Sequence, residues 1–469
     1  MKQFLIDRLP SMQATTCEAS GWSPVSEPQR AIGLDTLRGF ALFGVLVANT
    51  LQFAYPIVSA PPEMETWRGT GVVDRSVLLL VGMLVEGKFY TLLSILFGMG
   101  LALQSDRAVA SGIPFVGFSL RRAALLFMIG LVHGVCLFAA DFLTFYAVLA
   151  AAAVFFCRWP ACRLMAAAVV SACACVVVLS VYAWSHPERP YPLPLDWSKV
   201  TQQGGSADLP PIEGTAVALL ENLGVPREDF VGWMENEARI SRDGSWLELI
   251  RLRVIILILL ALPIKTLLLG PMFLAFFLFG MFLIRSAAGA TPAQPQALLI
   301  RLDDNAVRGY RTWFRVGVPL GLVLLLIGSG VQLALPRMVV TPPIYWTFLF
   351  VSVFAQSLGY AGGMLWLTAR KPDGRLVRWL RPVGRTALSN YIAQSVLLGF
   401  VFYGTGLGFF TRLTALPVVT LALPVFALEI WLSRAWLRRF SMGPVEWAWR
   451  SLAYGRWLPI RRPAERTEG

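Results

Sequence analysis

Apolar positions along this chain fall into long continuous runs broken by short arginine-rich stretches. Ten runs stand out, at 32–55, 75–103, 119–139, 141–157, 163–185, 266–285, 312–335, 344–369, 383–404 and 412–436. Runs near twenty residues cross a hydrocarbon layer of roughly 30 Å as helices. They do not alternate in period two, so helices are expected rather than a barrel. The pattern predicts an all-α, polytopic integral membrane helical bundle of about ten transmembrane helices.

The stretch "LRVIILILLALPIK" (252–265) is apolar but short, bounded by Arg253 and Lys265. Counting it as a crossing breaks the parity of the loops, so 246–265 reads as an interfacial or re-entrant helix. The chain then divides into a polar tail at 1–29, a five-helix half at 30–185, an extracytoplasmic loop or cap at 186–245, that interfacial segment, a second five-helix half at 266–436, and a basic tail at 437–469 with its own interfacial helix.

Composition agrees, with 56% hydrophobic and 15% charged residues. A formal charge of +13 suggests nucleic acid only until its location is considered. The bases sit in short loops: Arg107, Arg121 and Arg122; Arg158 and Arg163; Arg370, Lys371, Arg375, Arg378 and Arg381; Arg434, Arg438 and Arg439. This is the positive-inside pattern, and it puts both termini in the cytoplasm. The 186–245 loop, with ten acids against five bases, falls outside. It reads equally as a lid over a site or as a solvated connection. Six cysteines without a CxxC pair and two histidines predict neither a disulfide scaffold nor a metal site.

Polar residues inside apolar runs carry the candidate chemistry, because each costs free energy there. In "LDTLRGFALFGVLVANT" (34–50), Arg38 and Asn49 are eleven residues apart, about three turns, so they share a stripe with Asp35 one turn before. The stripe is either one wall of a cleft, or a snorkelling ion pair and a helix-linking amide. Glu86, Gly87 and Lys88 interrupt the second run and predict a kinked or broken helix, with Lys88 binding a ligand or held in an ion pair. His133 lies in the outer part of the third run and Asp141 opens the fourth, close enough across a tight turn for a carboxylate to orient the imidazole for proton transfer. Thr386, Asn390 and Gln394 recur at steps of four as a polar seam, and Glu429 in the last run needs a partner.

Four segments together, "GLDTLRGFALFGVLVANT", "EGKFYTLLSILFGMGLAL", "RRAALLFMIGLVHGVCLFAADFLTFYA" and the pair "GRTALSNYIAQS" with "GPVEWAWRSLAYG", resemble the YeiB-like family of bacterial membrane proteins, whose C-terminal half is a domain of unknown function. The first segment is also similar to the opening helix of membrane acyltransferases that modify cell-surface sugars. There an arginine is followed, ten residues intervening, by a catalytic histidine. Arg38 fits the arginine, but Asn49 stands in the histidine's place and cannot act as a base at neutral pH.

The resemblance implies a multi-pass protein of the bacterial inner membrane and, in its wider reach, an acyltransferase. In that reading an acyl-CoA donor brings its phosphates to Arg121, Arg122 or Arg381, and Asp35, Arg38, Asn49, Glu86, Lys88, Asn390 and Gln394 shape the substrate site. His133 with Asp141 activates an envelope sugar or lipid acceptor. The same residues serve two alternatives, a transporter or exporter of a small anion or amphipath, and a non-catalytic scaffold. The bilayer is the expected partner, an oligomer is compatible with the pattern, and no cofactor is implied.

Overall fold

The computed structural model describes residues 32–57, 64–112, 114–185, 236–258, 268–287, 304–335 and 339–461. The tail at 1–29, most of the 186–245 loop and the end of the basic tail lie outside the described residues. Within them the regular structure is helical apart from one isolated bridge, Phe440 to Arg461.

Ahead of the long loop come α1 (Ile32–Ala54), α2 (Met64–Arg68), α3 (Val72–Leu84), α4 (Lys88–Ala110), α5 (Phe115–Cys136), α6 (Leu143–Ala153) and α7 (Ala161–Ser185). After it come α8 (Glu237–Asp243), α9 (Trp246–Ile256), α10 (Gly270–Ala287), α11 (Asp304–Ala334), α12 (Thr341–Arg370) and α13 (Arg375–Arg385). The last four are α14 (Ala387–Phe402), α15 (Ala415–Thr420), α16 (Ala422–Leu437) and α17 (Pro444–Tyr454).

Among the described residues, seven stretches are long and apolar enough to cross a bilayer, and three shorter apolar helices, at Leu143–Phe156, Gly270–Ser286 and Ala387–Phe402, stand where three further runs were expected. The protein is an all-α polytopic membrane bundle. Its outer faces show why a bilayer is needed: Val169, Val170 and Val177 of α7 and Val323, Leu326 and Ile327 of α11 are exposed, an apolar surface that water would not cover.

The second run is broken, as its charges predict. Gly87 adopts φ +79°, a left-handed conformation that favours glycine, and separates α3 from α4. Lys88 then turns its ammonium back to the carbonyl of Gly82 at 2.7 Å, closing an open carbonyl at the end of α3. The segment from 246 starts as helix α9, opened by a capping box between Ser245 and Glu248. Arg253 of α9 is buried, donating to the Cys136 carbonyl at 2.6 Å and lying 4.7 Å from the Tyr403 ring centre. Residues 259–267 lie outside the described residues.

Close backbone crossings fix the helices that matter for the site. A Cβ on Gly39 would stand 2.1 Å from the Leu380 carbonyl oxygen, and one on Gly384 would stand 1.8 Å from that of Asp35. Paired glycines therefore let α1 and α13 touch backbone to backbone, the small-residue packing that substitutes for a hydrophobic driving force in lipid. This contact holds the start of α1, with Asp35 and Arg38, beside the α13–α14 junction.

Candidate functional site

A cavity of about 390 Å³ opens where α1, α4, α5, α6, α13, α14 and α17 converge. One helical face of α1 supplies Asp35, Arg38, Leu42 and Val45, at steps of three and four. One face of α5 supplies Ser119, Arg122, Ala123 and Leu126, and α17 contributes Glu446, Trp449, Arg450 and Tyr454 at its own helical spacing. The lining is graded. Arg38, Arg107, Arg122, Arg385 and Arg450 gather with two carboxylates, Asp35 and Glu446, whereas Leu93, Leu96, Phe97, Phe142 and Tyr146 supply an apolar portion.

The polar part of the cavity is organised rather than merely charged. Arg38 pairs with Asp35 at 2.8 Å, while the second oxygen of Asp35 is buried without a partner. Arg122 lies 4.4 Å from the Trp449 ring centre, and the Trp449 indole donates to the Arg122 carbonyl at 3.0 Å. Burial draws the Arg450 guanidinium below its ordinary pKa, against the opposing effect of Glu446. Glu446 also caps α14, accepting from the backbone of Leu388 at 2.6 Å and of Ser389 at 3.2 Å, and from the Ser389 hydroxyl.

Eleven residues beyond Arg122, about 16 Å along the same face of α5, stands His133. Its Nδ1 lies 2.9 Å from Asp141 Oδ1 and its Nε2 lies 2.8 Å from the Ser395 hydroxyl. Asp141 is held in turn by the Thr144 backbone at 2.7 Å and the Thr144 hydroxyl at 2.6 Å. A Cβ on Gly130 would stand 2.4 Å from the Thr144 nitrogen, so glycine at this point lets the turn approach α5. With Asp141 ionised, Nδ1 carries the proton and Nε2 accepts from Ser395. His133, Asp141 and Ser395 are all buried.

Tyr391 joins this cluster to the cavity. It lines the cavity wall, its ring centre is 5.0 Å from that of His133, and its hydroxyl lies 3.5 Å from Asp141 Oδ1. Tyr90 lines the wall as well and donates to Asn49 Oδ1 at 2.5 Å, stacking on Phe142 at 4.2 Å. Asn49 thus continues the α1 stripe behind Tyr90 instead of facing the cavity.

Other residues singled out in the sequence fall elsewhere. Lys88 is buried against Gly82 and Glu86 is exposed; neither lines the cavity. Arg121 is exposed at the rim near Gly455, while Arg381 lines a separate recess. The three arginines expected to meet phosphates are therefore dispersed. Asn390 donates to the Ser433 hydroxyl at 2.9 Å and Gln394 to Glu429 at 3.0 Å, so this seam ties α14 to α16. Among the described residues no group of His, Cys, Asp and Glu gathers as a metal site.

Sequence reasoning missed Ser395, Tyr391, Tyr90 and Arg450. A signal was present on α14: Ala387, Tyr391 and Ser395 recur at steps of four, each one position after the 386/390/394 seam. Two polar faces share the helix, one structural and one turned to the imidazole.

Comparison with known proteins places this arrangement in context. Residues 297–456 match the family described as "Protein of unknown function (DUF418)". The chain is 24% identical over 453 residues to the uncharacterized protein YxaH of Bacillus subtilis, covering 94% of this chain and 99% of that protein. It is 25% identical over 442 residues to the uncharacterized protein YeiB of Escherichia coli, covering 90% and 96% respectively. No solved structure matches. The DUF418 portion contains α13, α14 and α17, and the remaining walls of the cavity come from the preceding helices.

Proposed function

We propose that this YeiB-like membrane protein is an acyltransferase of the bacterial inner membrane, moving an acyl group from a cytoplasmic acyl-CoA to an envelope sugar or lipid acceptor. The observation that carries this reading is the single cavity that joins an arginine cluster to an apolar wall ending on Tyr391, which backs directly on the buried His133–Asp141 pair.

Phosphates of the donor are held by Arg38, Arg122 and Arg450, and the pantetheine arm follows the apolar lining. The hydroxyl of Tyr391 accepts from the Phe142 N–H at 3.5 Å and donates to Asp141 only over 3.5 Å, so a thioester carbonyl at the inner end competes for its proton and gains an oxyanion donor. Ser395 is buried and does not line the cavity, so in this reading it relays a proton to His133 and carries no acyl group. The acceptor hydroxyl or amine gives its proton through Ser395 to His133 Nε2 as it attacks the carbonyl. Asp141 stabilises the imidazolium, the carbon–sulfur bond breaks, and the departing thiolate takes up the proton.

The test is transfer of label from acetyl-CoA to extracted envelope acceptors by purified protein, comparing wild type with His133→Ala. The reading expects transfer by wild type and a loss of about a hundredfold or more in the variant. Folded wild-type protein that neither binds nor consumes the thioester sinks it, and acceptor flux into vesicles without thioester consumption replaces it with transport.

A further inference from the structure

A second recess, of about 460 Å³, lies between α13 and the end of α16 and is separate from the His133 cluster. Arg378, Arg381, Arg385, Arg434 and Arg438 line it, against one carboxylate, Asp373. Arg385 is anchored, donating to the Ser441 carbonyl at 3.1 Å. Arg378, Arg381, Arg434 and Arg438 form no ion pair among the described residues, and Arg381 Nε is buried without an acceptor. Guanidinium groups so concentrated repel one another, and phosphate oxygens are the acceptors that match their fork.

The surroundings indicate where that phosphate comes from. Trp431 and Arg434 of α16 and Arg438, which caps its end, follow one stripe at steps of three and four, and Trp431 is 64% exposed. Trp379 and Leu376 of α13 are exposed as well, while Val377, Leu380 and Val383 bury the opposite side of that helix. Exposed apolar side chains one turn below arginines describe the boundary between acyl chains and headgroups. We propose that this recess binds a phosphate-bearing headgroup, that of an anionic phospholipid of the leaflet into which α13 dips. The site stands independently of the acyl-transfer reading.

Full-length protein would be purified in detergent and its retention of cardiolipin, phosphatidylglycerol and phosphatidylcholine measured by native mass spectrometry, with inorganic pyrophosphate binding measured in parallel. The variant neutralises Arg378, Arg434 and Arg438 together to Gln. A control neutralises Lys371, Arg375 and Arg439 instead, removing equal charge from neighbouring exposed positions outside the recess. The expected result is preferential retention of the anionic lipids, reduced about tenfold or more in the recess variant and little changed in the control. Pyrophosphate binding with the same dependence, and no lipid preference, assigns the recess to a soluble phosphate and overturns the lipid source. Equal losses in variant and control, or no selective binding of any phosphate, overturn the site itself. Melting in phosphatidylcholine confirms that each variant is folded.

Discussion

Tyr391 is the residue on which the catalytic reading turns, because its side chain both lines the cavity and contacts His133 and Asp141 behind it. Replacing it with Phe keeps the ring against His133 and removes only the hydroxyl. If that hydroxyl meets the developing oxyanion, Tyr391→Phe lowers kcat about a hundredfold and leaves KM for the donor nearly unchanged. Steady-state kinetics with varied acyl-CoA check the split, and a change confined to KM rejects the role. His133 and Asp141 were legible in the sequence because eight residues and a turn separate them, which forces proximity. Ser395 was not, since it comes 262 residues later and only the packing of α14 against α5 reveals it. Lys88 illustrates the converse: a buried cation advertises a ligand, yet a broken helix next to it supplies backbone carbonyls that answer the same need.

Helices, at the next scale, were legible wherever period and length agree, and their boundaries shifted where glycine, proline or a polar turn intervenes. The run at 383–404 is in fact the end of α13 and all of α14, joined at Thr386, and the run at 412–436 is divided between α15 and α16 at Leu421. What no periodicity shows is how near two helices come. The Gly39–Gly384 crossing is the case that matters, since it sets the wall carrying Arg38 opposite Arg385. Gly384→Leu drives a side chain into the Asp35 carbonyl, and at a backbone contact neither partner can yield. The expected cost is about 3 kcal/mol or more, read as a lowered melting temperature or loss of monodisperse protein. Gly117→Leu, which meets nothing within 4 Å, serves as the control and leaves both unchanged.

Across the whole molecule, the ends of the helices sort into two groups. At one end the loop after α14 touches the end of α1, through the Thr411 nitrogen to the Ala54 carbonyl at 2.9 Å, and the α8 strip, through the Gly404 nitrogen to the Ser241 carbonyl at 3.0 Å. The start of α3 joins this group, Asp74 accepting from the Leu416 backbone at 2.9 Å. At the other end Arg285 meets Asp106 and the Cys157 carbonyl, and Arg122 meets α17. That division is the one the positive-inside pattern requires if the arginine-rich end faces the cytoplasm, so that the first cavity opens on that side. Cys162 is exposed beside Arg158 and Arg163, whereas Leu407 is exposed in the loop after α14. In a variant retaining Cys162 alone, a membrane-impermeant maleimide is expected to label only after the cytoplasmic membrane is opened. With Leu407→Cys as the sole cysteine, labelling is expected in intact spheroplasts. The opposite pattern inverts the protein and removes the proposed cytoplasmic donor from reach of the arginines, leaving the buried His133–Asp141 pair without a thioester substrate.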